Sequence, residues 1–243
     1  MFGRKVFSIF AALILVVGAS LSAMAATNAA MDKGTEKTRV EVPLNLAILV
    51  QDDLVSRVGN ELDATRAFIR SLPAGSRVMI AYVRAGSLQV RQIFTDDLDK
   101  AAKALRLPAG STAVSPYNPY VEVKEALRKF EEGGSNRNAL LLISDGLDTS
   151  RGFDIESAGN SMDLLRAIKE AQKKNVAIYS FFAPTVGLTS WNHIAIGYGQ
   201  SSLNRLSNET GGRAFFQGTS FVSFDPYFDR LRETLNDQYV KAY

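Results

Sequence analysis

Two short polar segments of this 243-residue sequence hold side chains suited to binding or reaction chemistry. They are Gln51-Asp52-Asp53-Leu54-Val55-Ser56 and Ser144-Asp145-Gly146-Leu147-Asp148-Thr149. Each follows a run of apolar, mostly branched residues, LNLAILV (44–50) and NALLLIS (138–144), that reads as a buried strand. Carboxylates at strand ends can ligate a hard cation, accept hydrogen bonds from turn amides, or act as acid and base. A third segment, Gly110-Ser111-Thr112-Ala113-Val114-Ser115, places hydroxyls before a helix expected at 120–130. The sequence also excludes several chemistries. With no cysteine there is no thiol nucleophile, zinc–thiolate site or iron–sulfur cluster, and His193 alone cannot build a multi-histidine metal site. No G-x-G-x-x-G or G-x-x-x-x-G-K-[ST] run exists to cradle a nucleotide phosphate.

The surrounding elements decide whether these segments meet. RVMIAYV (77–83) and NVAIYSFF (175–182) are nearly continuous apolar runs like the first two. Strands buried on both faces belong to a parallel sheet covered by helices on each side. Apolar residues at helical spacing mark helices over 57–72, 97–106, 120–130, 161–174, 200–209 and 224–237. SLQVRQIF (87–94) alternates after a Gly-Ser turn and reads as a short antiparallel edge strand; RAFF (213–216) follows Gly211-Gly212, and the final QYVKAY alternates like another edge strand. The expectation is one α/β domain over 39–243: a single doubly wound, mostly parallel sheet with helices on both faces. In such sheets ligands sit at the carboxyl ends of the strands, where the three polar segments lie.

The N-terminus reads as an export signal. MFGRK is basic, VFSIFAALILVVGASL is apolar, and Ala23-Met24-Ala25 is a small-x-small site, so cleavage is expected after Ala25. Residues 26–38 are small and polar and read as a flexible leader. The whole sequence carries 28 Lys and Arg against 25 Asp and Glu. Cleavage would remove Arg4, Lys5 and no acid, leaving a near-neutral chain without a nucleic-acid-binding face and without a stable membrane span. A secreted or periplasmic location follows.

The segments PLNLAILV, LLLISDGLDTS, LNRLSNETGGRAFF and LRETLNDQYVKAY together resemble the von Willebrand factor type A domain, in its divergent secreted bacterial branch, over Leu44 to Tyr243. That resemblance implies a metal-ion-dependent adhesion site. It is built from an Asp-x-Ser-x-Ser loop after the first strand, a Thr before the third helix and an Asp after the fourth strand. Carried over, the first loop falls on Gln51, Asp53 and Val55, and the later acid on Asp145. The Thr falls on Thr112, with Ser115 as the competing register. An amide, a carboxylate and an apolar side chain thus replace Asp, Ser and Ser. Asp53, Thr112 and Asp145 remain as candidate metal ligands, with Gln51 and Ser115 as further oxygens, for no more than a weakly held Mg²⁺ or Ca²⁺. Two other readings stand beside this: a shifted register using Asp52 and Ser56, and a structural one in which Asp53 caps a helix and Asp145 binds rim amides.

A long loop is expected at 183–199, holding Trp191, His193 and Tyr198. Exposed aromatics at a rim suit partner recognition, whereas packing of Trp191, Ile194 and Ile196 beneath the loop would make a small satellite core. The expected function is a non-catalytic binding or adhesion-type module whose partner is a protein or cell-envelope ligand. The rival is a hydrolase, metal-assisted or serine-based, using the same rim. It lacks a recognisable nucleophile motif.

Overall fold

The computed structural model describes residues 39–131, 136–152, 161–216 and 223–241. The expected signal peptide and leader, and most of the polar stretch 150–160, lie outside them. Six strands form one sheet in the order β3-β2-β1-β4-β5-β6. They are β1 (Leu44–Gln51), β2 (Arg77–Arg84), β3 (Ser87–Thr95), β4 (Arg137–Ser144), β5 (Val176–Phe182) and β6 (Ala214–Phe215). All pairings are parallel except that of β2 with β3. Val50 of β1 lies opposite Tyr82 and Ile143, so the ends of β1, β2 and β4 are level and their loops open on one rim.

The apolar runs form strands because both faces are covered. Leu46, Ile48 and Val50 point into one core with Phe68, Phe181 and Phe228, beneath helices α1 (Leu62–Arg70), α2 (Leu98–Lys103) and α6 (Asp225–Lys241). Ala47 and Leu49 point into the other with Val123, Leu164 and Leu203, beneath α3 (Pro119–Leu127), α4 (Met162–Lys173) and α5 (His193–Glu209). Helix starts at the rim are capped by short polar side chains. Asn118 accepts from Tyr120 N at 3.0 Å with Pro119 following, Ser161 from Leu164 N at 3.2 Å, and Asn192 from Ile194 N at 2.9 Å.

Three expectations need correction. The helix expected over 57–72 opens as a 3₁₀ turn, Ser56–Glu61, and becomes α-helical only at Leu62. Gly59 lies in that turn beneath Leu107, whose Cδ2 would be 2.6 Å from an added Cβ. The long loop 183–199 is shorter than expected, because α5 begins at His193. Gly197 and Gly199 mask its helical period, and Gly199 is required by packing: a Cβ there would lie 1.9 Å from Asp145 O. Residues 238–241 of the expected edge strand QYVKAY are helical instead, since α6 continues to Lys241. The antiparallel edge strand expected over 87–94 is present as β3, Ser87–Thr95.

Candidate functional site at the strand-end rim

Gln51 ends β1, and the chain then turns so that adjacent acids point to different neighbours. Asp52 is buried and forked by Arg106 at 2.6 and 2.8 Å, with Arg84 at 3.1 Å and the Ala109 amide at 2.9 Å. Burial alone would raise its carboxyl, but the Arg106 and Ala109 hydrogen bonds and the two guanidinium charges hold it below the usual range. The shifted register is therefore overturned: Asp52 is committed to arginines, and Ser56 is exposed at the start of the 3₁₀ turn.

Asp53 is equally buried, and its Oδ1 accepts the Gln51 amide at 2.9 Å. Its Oδ2 is buried without a hydrogen bond of ordinary geometry. Burial pushes this carboxyl up, partly offset by the Ser115 hydroxyl and Gln51. It does not cap a helix, since Val55 occupies the cap position without a side-chain bond.

Asp145 follows β4 at the same rim, where Gly146 turns away with φ +69°. Its Oδ1 accepts from Leu147 N at 3.2 Å, as the structural reading expected. Its Oδ2 accepts from Thr185 and Thr189 at 3.1 and 3.0 Å. Burial, and next the charge of Asp53, raise this carboxyl to about 6. Gln51 ties the two acids together, because its Oε1 accepts from Asp145 N at 3.3 Å and from the Ser144 hydroxyl. The loops after β1 and β5 also zip together, Val55 N to Pro184 O at 3.1 Å and Val186 N to Asp53 O at 2.9 Å.

Thr185 and Thr189 were not among the residues singled out from the sequence. Their spacing of four directly after a strand is the signal that points to them. Above the acids opens a cleft of ≈ 160 Å³ with Gln51 and Asp145 on its floor and Ser115, Tyr117, Thr149 and Leu188 on its walls. Ser115 rather than Thr112 lines it; Thr112 is exposed in a 3₁₀ turn, Thr112–Val114. Trp191 is 68% exposed just before α5, His193 is exposed in its first turn, and Tyr198 is half-buried further along it. Trp191 and Ile194 therefore do not form a satellite core, whereas Ile196 joins the main one.

No family profile matches the chain, and no curated protein matches it. Solved structures do. An aerotolerance-related membrane protein from Bacteroides fragilis, with multiple mutations to serines, superposes at TM-score 0.54 and 11% identity, covering 81% of this chain and all of that one. BatB, a conserved hypothetical protein from Bacteroides thetaiotaomicron, gives 0.53 and 13%, covering 82% and 99%. The chain has a von Willebrand factor A-like fold. The VWA domain of SpRpn10 also matches, at TM-score 0.46 and 16% identity over 82% of this chain and 95% of that one. At these identities the likeness is one of fold.

The resemblance to the von Willebrand factor type A family implies metal-ligating positions at this rim, so the residues present can be tested against a cation. Mg²⁺ asks for six oxygens in octahedral array. Here Gln51 turns an N–H against Asp53, both Asp145 oxygens already accept hydrogen bonds, and Val55 offers none. Asp53 Oδ2 and Ser115 Oγ are the remaining oxygens of the set. Among the described residues no group of three or more acidic, His or Cys side chains is placed to hold a metal. The side chains do not fit an octahedral cation.

Proposed function

We propose that the chain is a non-catalytic binding module, exported after cleavage at Ala25, that engages a protein or cell-envelope ligand through the strand-end rim. Folds of this type commonly serve protein interactions. The supporting observation is where exposed apolar side chains fall. Apart from Ile93 on β3, the large ones among the described residues are Leu107, Tyr117, Val121, Met162, Trp191 and Ile194. All lie in rim loops or in the first turns of α3, α4 and α5. Apolar groups concentrated at one end of a molecule mark an interaction surface. No helix of the described residues is long and apolar enough to cross a membrane. Nor does the rim favour the hydrolase reading: the Ser144 hydroxyl is buried between Gln51 Oε1 and Gly146 N, and His193 is exposed on a different element.

The test is capture of partners from the host envelope fraction by the wild-type chain and by Trp191→Ala. A rim Trp anchor contributes about 2–4 kcal/mol to an interface, so capture should fall at least tenfold while the melting temperature holds. Undiminished capture by folded Trp191→Ala, with loss in Asp145→Ala, would return the function to a metal. In that case titration calorimetry should also give micromolar Mg²⁺ or Ca²⁺ binding, where this reading expects about millimolar or poorer.

A further inference from the structure

Resting on the rim reading above, we propose that the cleft over Asp53 and Asp145 receives a basic side chain, Arg or Lys, from a protein partner, with no metal between them. In metal-bearing relatives, as the resemblance implies, the cation takes an acidic side chain from the partner. This rim reverses the polarity, because the cation would belong to the partner.

Three observations converge on it. The first is an unmet acceptor: Asp53 is fully buried, and its Oδ2 has no hydrogen-bond partner. Asp53 lies directly behind Gln51 and Ser115, which line the cleft beside Asp145, so its charge acts on an entering donor from behind those side chains. A buried charged acceptor without a donor is costly, and a donor from outside relieves the cost.

The second observation is charge. No Lys or Arg lines the cleft, and the nearby Arg106 and Arg84 are committed to Asp52. The floor is therefore anionic, with no cation among the described residues standing over it. The third is shape. The cleft of ≈ 160 Å³ opens between the Tyr117 ring, 71% exposed, and Leu188, with Thr149 as a further polar wall. An aromatic face and an apolar wall suit the aliphatic stem and charged head of Arg or Lys. An acidic side chain would instead meet the Asp145 carboxylate, with Asp53 close behind it.

Two measurements on the full chain decide it. The first follows backbone amide resonances of Ser115, Tyr117, Thr149 and Leu188 during addition of N-acetyl-arginine methylamide. The comparison probes are the lysine, glutamine and glutamate analogues, the last also with Mg²⁺. The arginine and lysine probes should shift these amides with an affinity about tenfold or more above the glutamine probe, and Asp53→Asn should remove that preference. Equal shifts from all probes, no shift, or a Mg²⁺-dependent glutamate response would each overturn the proposal. The second selects a displayed random-peptide library on the wild-type chain and rescreens the pool on Asp53→Asn and Trp191→Ala, both checked by thermal melting. Peptides that need Arg or Lys and lose binding on Asp53→Asn support it. Peptides lost on Trp191→Ala but kept on Asp53→Asn sink the basic-side-chain assignment while the rim reading stands. Peptides indifferent to both variants, or a pool that yields none, sink both.

Discussion

Asp52 and Asp53 are neighbours in sequence, leave the same strand and are buried alike, yet their surroundings differ in kind. Asp52 faces the β2 side of the rim, where Arg106 grips it with two hydrogen bonds, Arg84 adds a second charge, and the Arg106 guanidinium lies 3.9 Å from the Tyr82 ring centre. Asp53 lies behind the cleft wall, accepts the Gln51 amide on Oδ1, and has in Oδ2 an oxygen without a hydrogen bond of ordinary geometry. Burial raises the carboxyl of both; only at Asp52 do the guanidinium groups and the Ala109 amide outweigh it. A carboxylate with every lone pair answered fastens loops together. One left short beside an open cleft costs stability locally, which is the pattern expected where a site awaits a ligand.

The sharpest way to break this contrast is to remove the clamp. Arg106→Ala would leave Asp52, fully buried, with Arg84 as its only cation and the Ala109 amide beside it. Stripping one partner from a buried, hydrogen-bonded ion pair costs about 3–5 kcal/mol, and Arg84 should soften that to about 3 kcal/mol. Urea unfolding measures it. Arg106→Lys should recover only part, because an ammonium cannot make the two-pronged contact. A loss below about 1 kcal/mol would show that this side of the rim does not depend on the fork.

A second carboxylate tests the other half of the comparison at a distance from the cleft. Glu122 on α3 is buried with Oε2 lacking a partner, as in Asp53. Burial, and then the charges of Glu125 and Asp163, raise its carboxyl from 4.5 to about 7. The folded state thus binds a proton that the unfolded chain has released over that interval. Its contribution to stability is complete below pH 4.5 and is lost as pH rises through about 7. Asp145, raised to about 6, acts in the same direction. Melting temperature should therefore fall from pH 5 to pH 8, with Glu122 contributing about twice as much of the loss as Asp145. Glu122→Gln should flatten most of this slope and leave the smaller Asp145 part. A melting temperature that rises with pH over this interval would contradict the assignment.

Much of the scaffold was legible in the sequence because the periods are strong. Continuous apolar runs marked β1, β2, β4 and β5, alternation marked β3, and the parallel core followed from burial on both faces. The start of α5 was hidden because Gly197 and Gly199 interrupt its pattern, and Gly199 answers to the close approach of Asp145 O, a long-range contact. The end of α6 was misread because QYVKAY alternates over too few residues to separate the two periods. At the rim, Gln51, Asp53, Ser115 and Asp145 were all nameable from strand-end position. What the sequence could not convey was direction: nothing local tells that Asp52 turns toward Arg106, 54 residues away, while Asp53 does not. The roles of Thr185 and Thr189 depend likewise on an approach of 40 and 44 residues.

The smallest expected effect carries the finest test. Asp53→Asn keeps an oxygen for the Gln51 amide, removes a buried charge, and presents an NH₂ group on the side of the Ser115 hydroxyl, which can accept from it. The unmet acceptor disappears, so unfolding free energy should stay level or rise by up to about 1 kcal/mol. Asp145→Asn is the control, differing by the same atoms at the other acid of the floor. There an NH₂ would confront the Thr185 and Thr189 hydroxyls that now donate to Oδ2, and the hydroxyls would have to turn away from the contacts they hold. That exchange should cost about 1 kcal/mol or somewhat more. The two variants should thus move in opposite directions in the same urea titration at neutral pH. If Asp53→Asn lost as much as Asp145→Asn, Asp53 would be as firmly built into the fold as Asp52, and the distinction between a clamp and a site awaiting a ligand would fail.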